Sequence, residues 1–497
     1  MDGSHVVVDL GAASGRVMLA SACADAVRLT EHHRFANTPV DWPTGRYWDL
    51  PDLYAQVATG IGAAIAAAVR AHGRPPATLG IATWGVDFGL VDQHGQLLGL
   101  PGHYRDGRPD LVDRLDQDEA YQITGVAPQS INTASRLLDE RWADALAAAD
   151  ELLLMPALLG YLLTGRRGMA EYTIASTTQL TDPATRRWAP ALLDRLGLGG
   201  LVAPVHEPGR VVGSLRPQVV PDQPAAGDVS LVTVAGHDTA SAMVATPATG
   251  ADFAFISCGT WALVGLELPT PIRTLVARDA GFTNEGGLDG TIRFLRNVTG
   301  LWLLDESVRT WRRQGRHVDA ADALAAAADA PPGAALIDPA DPGFLPPGDM
   351  PARIADYCRR TGQAAPDSIG ALTRCVLESL AAAFCVTIEQ AASIAGRRVE
   401  VIHLVGGGSR ATLLCQLTAD LSGRPVVAGP VEATALGNAL VQARAAGELG
   451  GSDGSLAGLR ERAARSASTT TYQPRRRADR AIVRRFGEIS ASAAAPR

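Results

Sequence analysis

Lysine is missing: all 45 Lys+Arg positions of the 497-residue chain are arginine. That absence excludes whole mechanisms. A P-loop needs its lysine on the phosphates and a protein kinase its strand lysine. Schiff-base and pyridoxal enzymes need one as the covalent anchor. A nucleotide bound here must therefore be held by backbone amides, hydroxyls, arginine and metal.

Excess positive charge is also missing. The formal net charge is −7, which gives no electrostatic footprint for nucleic acid or an anionic membrane, and neither partner is expected. No leader is expected either, because MDGSHVVVDLG runs almost directly into a strand. The longest strongly apolar stretch, Leu152 to Leu163, is too short to span a bilayer and contains Pro156. Cysteines are few and show no CxxC or Cys/His metal spacing: Cys23, Cys258, Cys358, Cys375, Cys385 and Cys415. They read as buried reduced thiols, with Cys358 and Cys375 able to pair only if their segments meet. The expectation is a cytoplasmic enzyme. At this length it should have two domains, and the apolar content of 46% is ample for two cores.

What the chain does contain is a design used twice. VVVDLGAASGRVMLA (Val6 to Ala20) and FAFISCGTWALVG (Phe253 to Gly265) each place a Gly/Ser/Thr turn between two apolar runs. Both read as strand-turn-strand hairpins whose amides and hydroxyls suit phosphate oxygens. Two copies imply two related halves. Asp9 ends the first strand, where it serves either as a turn-capping aspartate or as a carboxylate holding Mg²⁺ through water.

Between and after the hairpins, Trp48 to Gly73 shows helical periodicity with a glycine stop, and Thr78 to Gly99 returns to strands. Helices are expected near Pro109–Gln117 and Thr133–Ala149, from the 180s to Leu196, from Leu301, and over Ser368 to Gly396. The chain beyond Ser466 reads as a partly loose tail. Gly406-Gly407-Gly408 follows an apolar strand and is expected to open a helix, a setting suited to adenosine or phosphate. AGHDTASAM (Ala235 to Met243) places His237, Asp238 and Thr239 where a buried strand gives way to a helix. Asp238 is either that helix's N-cap or a carboxylate that orients an alcohol and takes its proton.

Together these segments resemble the FGGY carbohydrate kinases over nearly the whole chain, from Val6 to about Leu440. The resemblance rests on DLGAASGR, TWGVDF (Thr83 to Phe88), GLPGHYRDGR (Gly99 to Arg108), LLTGR and EYTIASTTQL. AGHDTASA, SCGTWALVG, TNEGG, RNVTGLWLL (Arg296 to Leu304), HLVGGGS and GPVEATALGN complete it. It implies an α/β fold of two RNase H-like, actin/hexokinase-type domains with an interdomain active-site cleft. Their expected bounds are 1–246, mainly sugar-binding, and 247–465, mainly ATP-binding, with the tail at 466–497. It implies Mg²⁺ and ATP, and transfer of the γ-phosphoryl group to the 1-hydroxyl of L-rhamnulose.

Matched position by position, the resemblance puts Asp238 on the proton acceptor and Gly85, His237, Asp238, Thr239 and Asn297 on sugar contacts. Ala12, Ala13, Ser14, Gly15, Arg16, Thr260 and Gly407 fall on ATP contacts. Asp305 stands where an ATP-side glutamine is expected, and Ala82 and Ala157 replace two aspartates usual among close relatives. A monomer or homodimer is expected. The alternatives are a kinase for another ketose or polyol (L-fuculose, D-xylulose or glycerol) and an actin- or Hsp70-like ATPase without sugar chemistry.

Overall fold

The strand Ser4–Leu10 is buried along its whole length. Its run Val6-Val7-Val8 requires this, because alternate side chains point to opposite faces and both must be covered. The chain turns through Gly11–Ala13 into Ser14–Cys23, antiparallel, in a register that sets Asp9 opposite Arg16. Ala26–Ala36 adds a third antiparallel strand. Thr78–Thr83 lies parallel on the other side of the first strand, and Ser230–Val232 lies parallel beyond that. The order is therefore 3-2-1-4-5, with Val211–Ser214 closing the far edge antiparallel. The computed structural model in which this is seen describes residues 3–23, 25–475 and 480–494.

The crossover to the parallel strand is the helix Leu50–His72. Asp49 caps its start by accepting from the Asp52 N–H (3.1 Å), Pro51 sits in its first turn, and left-handed Gly73 ends it. Leu53, Val57, Ile61, Ile65 and Ala68 recur at helical spacing and form its buried face.

A second sheet repeats the plan. Phe253–Cys258 and Trp261–Leu268 form an antiparallel hairpin, with Ile292–Thr299 next in the sheet. Val401–Val405 lies parallel to Phe253–Cys258, and Val426–Ala428 lies parallel beyond it. These five strands take the same 3-2-1-4-5 order, so the repetition legible in the hairpins extends to five strands in each sheet. The helix Ile369–Ala395 packs against Ala320–Asp329 and Thr412–Ser422 with most of its circumference buried.

Contacts divide the chain into two compact units, neither of them continuous. The first comprises Met1–Thr249, Leu268–Phe294 and Glu432–Ala467; the second comprises Gly250–Glu267, Leu295–Val431 and Ser468–Arg497. The expected cut at 246/247 therefore leaves out two excursions, and the GPVEATALGN helix, Ala433–Ala445, belongs to the first unit. Gly437 shows why it can. A Cβ there would lie 1.8 Å from the Ser241 carbonyl oxygen, so the helices Asp238–Val244 and Ala433–Ala445 approach more closely than any side chain permits. Asn438 and Gln442 of the same helix donate to the Val8 and Val6 carbonyls (3.4 and 3.0 Å).

Several local expectations are corrected. Pro109–Arg114 is a 3₁₀ helix, with an α-helix following at Gln117–Thr124. The span 133–149 breaks into Thr133–Arg136, a 3₁₀ turn at Glu140–Trp142, and Ala143–Ala148. The 180s form a small hairpin, Thr181–Asp182 with Arg187–Trp188, before the helix Pro190–Leu196.

In the tail, Thr470–Tyr472 pairs antiparallel with Val426–Ala428 and Arg480–Ala494 is helical, so these parts are built into the fold. Residues 476–479 and 495–497 lie outside the described residues. Leu50–His72 and Ile369–Ala395 both have the length and apolar composition of a membrane span, which the Leu152–Leu163 reading had not foreseen. Ile369–Ala395 is mostly buried, and Leu50–His72 buries one face. Cys258, Cys358, Cys375, Cys385 and Cys415 are buried free thiols, and the side chain of Cys23 lies outside those described. The segments of Cys358 and Cys375 do meet, and the two thiols lie near enough to influence each other's ionisation.

Candidate functional site

Three parallel strands of the first sheet end side by side. Leu10 pairs with Thr83, Thr83 bridges to His237, and the Thr83 N–H donates to the Gly236 carbonyl (2.9 Å). This register brings Asp9, the Trp84-Gly85 turn and His237-Asp238 to one sheet edge, the carboxyl ends where α/β folds gather ligands.

Asp9 is buried and receives Arg16 NH2 at 2.5 Å on Oδ2, while Arg16 NH1 reaches the Glu432 carboxylate. Burial above all, and then the negative charges of Asp238 and Glu432, push the Asp9 carboxyl up to about 6 against the pull of Arg16. Asp9 is thus a crowded anion with one arginine as counter-charge, rather than a simple turn cap. A divalent cation would relieve the same crowding. Among the described residues no three His, Cys, Asp or Glu side chains are grouped to hold a metal. The fit is therefore to an ion contacted through its own water, as Mg²⁺ prefers.

The turn after Asp9 is held by Asn37, whose side chain donates to the Gly11 carbonyl (3.0 Å) and whose N–H donates to that of Ala13 (3.1 Å). Ala13 and Ser14 are exposed, Ala12 and Arg16 half-buried, and Gly15 is packed against the Phe35 ring.

Gly85 precedes Val86, a β-branched residue at φ +65°, a conformation that such a side chain ordinarily avoids. Two threonines hold it. Thr177 Oγ1 accepts the Val86 N–H (3.0 Å), and Thr133 Oγ1 donates to its carbonyl (2.6 Å). Asp87, one residue on, is fully buried and accepts from the Trp48 and Trp84 indoles (2.6 and 2.7 Å) and from Arg136. Burial raises its carboxyl despite those donors. Trp84 and Tyr104 are core side chains in this cluster.

Asp238 is the first residue of the helix Asp238–Val244. The capping position belongs to His237, whose side chain makes no capping bond, so Asp238 is not the helix cap. Its Oδ1 accepts from the Thr239 N–H (2.5 Å) and Thr239 Oγ1 (3.1 Å), and His237 Nε2 lies 3.3 Å from the same oxygen. Its side chain is 30% exposed, whereas His237 and Thr239 are buried.

Residues that sequence reasoning missed surround this pair. Buried Glu171 accepts from the N–H groups of Thr173 (2.6 Å), Ile174 (3.3 Å) and Gly236 (2.9 Å), and its carboxyl is pushed up to about 7, mainly by burial. Glu285 and Arg293, on the strands Thr283–Gly286 and Ile292–Thr299, form a buried ion pair at 2.9 Å beside the His237 ring. The EYTI and NEGG segments were visible as motifs, but nothing in their spacing gave these contacts.

The second unit holds the other group. Thr260 sits in the turn of the second hairpin, and its carbonyl accepts from the Gly300 and Trp302 N–H groups (3.1 and 3.2 Å) at the start of the helix Trp302–Arg313. Asp305 lies in that helix's first turn, its carboxyl raised by burial. Asn297 is half-buried on Ile292–Thr299.

The glycine triplet does not open an α-helix. Gly407–Arg410 is a 3₁₀ turn, and the helix begins only at Thr412. Its members also differ. A Cβ on Gly408 would meet Cys258 Sγ at 2.5 Å, and one on Gly406 would meet the Cys258 carbonyl at 3.0 Å, whereas one on Gly407 would meet nothing within 4 Å. Gly406 and Gly408 are there for close packing, and Gly407 faces open space.

The N- and C-terminal domain models of the FGGY family of carbohydrate kinases match residues 5–245 and 254–446. A rhamnulokinase of Bacteroides thetaiotaomicron is 39% identical over 486 residues, 95% of this chain and 96% of that one. One from Enterococcus faecalis is 41% identical, covering 90% of each chain, and one from Bacillus subtilis is 38% identical, covering 90% and 91%. Among solved structures, xylulose kinase from Rhodospirillum rubrum superposes with a TM-score of 0.75 at 18% identity, over 99% of this chain and 98% of that one. Plasmodium falciparum glycerol kinase with ADP gives 0.73 at 13% identity, over 98% and 97%; at such identities the likeness is one of fold. The chain belongs to the FGGY family of carbohydrate kinases.

Proposed function

We propose that this ATP-dependent sugar kinase transfers the γ-phosphoryl group of ATP to the 1-hydroxyl of L-rhamnulose, with Asp238 as the general base. The observation that carries the role of Asp238 is its geometry. The carboxylate stands at the carboxyl end of the central strands, is not spent as a helix cap, and among the described residues takes its side-chain bonds on Oδ1. Oδ2 is the oxygen left for an alcohol proton. As the sugar oxygen attacks the γ-phosphorus, its proton passes to Asp238. The new O–P bond forms while the bond to the β,γ-bridging oxygen breaks, and ADP leaves with that electron pair.

Gly85, His237, Thr239 and Asn297 are the proposed sugar contacts. Ala12 to Arg16, Thr260, Asp305 and Gly407 are the proposed ATP contacts, with arginine and hydroxyls where other kinases use lysine. Asp9 would hold Mg²⁺ through water, and the ion would supply charge neutralisation on the phosphates. The substrate assignment is supported by the rhamnulokinases named above, and the cytoplasm, with its ATP, is the compartment that this chemistry implies. The test is a panel of ketoses and glycerol with ATP, the phosphorylated position read by NMR. Preferred turnover of L-rhamnulose to its 1-phosphate is expected. Equal or better turnover of L-fuculose, D-xylulose or glycerol would overturn the assignment.

A further inference from the structure

Behind Asp238 lies a chain of buried polar groups whose proton positions are constrained by chemistry. Arg293 is completely buried. Its Nε donates to the Gly286 carbonyl (3.0 Å), and NH1 pairs with Glu285 Oε2 (2.9 Å). The same guanidinium directs NH1 and NH2 at His237 Nδ1 (3.2 and 3.1 Å). A guanidinium has only donors, so where it bonds to Nδ1 that nitrogen accepts and carries no proton. The ring's single proton then sits on Nε2, 3.3 Å from Asp238 Oδ1. Glu285 Oε2 also lies 3.2 Å from Nδ1 and would accept a proton held there; Arg293 NH1, nearer to that oxygen at 2.9 Å and charged, is its stronger partner.

We propose that Arg293 is a positioning residue. Locked by Glu285, it fixes His237 as the neutral Nε2–H tautomer, so that the ring tethers Asp238 through Oδ1 and leaves Oδ2 to receive the substrate proton. This rests on the reading of Asp238 as the base. It gives His237 a second task besides any sugar contact, and it explains a buried ion pair, costly to desolvate, at this point in the fold. With Thr239 N–H and Oγ1 on the same oxygen, three donors converge on Oδ1. The carboxylate is thereby turned one way before substrate arrives.

The direct test is the ring ¹⁵N spectrum of the full-length wild-type protein at neutral pH, with His237 identified by the signal lost in His237→Asn. The expected result is a protonated Nε2 and an unprotonated Nδ1. A proton on Nδ1, in either a neutral ring or an imidazolium, would overturn the proposal.

Kinetics give the second readout. The charge-removing double variant Arg293→Gln/Glu285→Gln should lower kcat about tenfold or more and leave KM for ATP within about twofold. His237→Gln, whose amide nitrogen reaches the Nε2 position, should retain more kcat than His237→Asn. A folded double variant with wild-type kcat contradicts the proposal. If the double variant does not fold, the wild-type spectrum decides alone. Full turnover in Asp238→Asn would instead sink the base assignment, whatever the tautomer. An inactive Asp238→Asn together with a proton on Nδ1 would sink only the role of Arg293.

Discussion

Asp9 and Arg16 stand opposite each other across the first hairpin, one at the end of its strand and the other at the start of the return, with NH2 2.5 Å from Oδ2. Glu432, more than 400 residues on, holds the other side of the same guanidinium. One arginine thus balances two carboxylates beside a third, Asp238.

This crowding gives a pH dependence with a definite sign. The Asp9 carboxyl, ordinarily at 3.8, titrates at about 6 in the fold. Between about pH 4 and 6 the unfolded chain has already released a proton that the native state retains, so stability falls as pH rises through that window. Above it the full penalty, of the order of 2–3 kcal/mol, is present. Asp9→Asn should therefore raise the melting temperature more at pH 8 than at pH 4.5 while reducing turnover. A variant that loses more stability at pH 8 than at pH 4.5 contradicts the account.

The close crossing at Gly437 has a mechanical consequence. Gly437→Ala would drive a methyl group into the Ser241 carbonyl, and the two helices would have to part. The expected loss is about 1–3 kcal/mol by denaturant unfolding, with a fall in kcat because the displaced helix begins at Asp238. A variant with unchanged stability would mean that the helices are not packed this tightly.

The glycine triplet separates packing from binding. Gly408→Ala should cost about 1–3 kcal/mol through its clash with Cys258. Gly407→Ala should leave the melting temperature alone and raise KM for ATP. Thermal melts and ATP titrations of the two single variants would settle it, and a reversed pattern would show that Gly407 serves packing.

The features legible in the sequence were those carried by local order. The two hairpins, the long capped helices, and the strand-to-helix junction bearing Asp238 all follow from periodicity and turn residues within some thirty positions. The duplication was legible because both hairpins repeat one local design. Contacts made by the fold alone were not. Glu171 meets Gly236 from 65 residues away, and Arg293 reaches back 56 residues to His237. Charged residues are usually at the surface, so neither Glu285 nor Arg293 announces its burial. The return of residues 432–467 to the first unit was equally silent, since the close approach at Gly437 and the bonds from Asn438 and Gln442 to the first strand exist only in the fold. The glycine triplet misled because a 3₁₀ turn and a helix start have the same composition over four residues.

The central claim is that Asp238 takes the alcohol proton, and Asp238→Asn tests it most directly. Single-turnover phosphoryl transfer should fall by about 10²-fold to 10⁴-fold, with ATP binding by calorimetry nearly unchanged and the melting temperature close to wild type. Wild-type transfer rates in a folded Asp238→Asn protein would contradict the account.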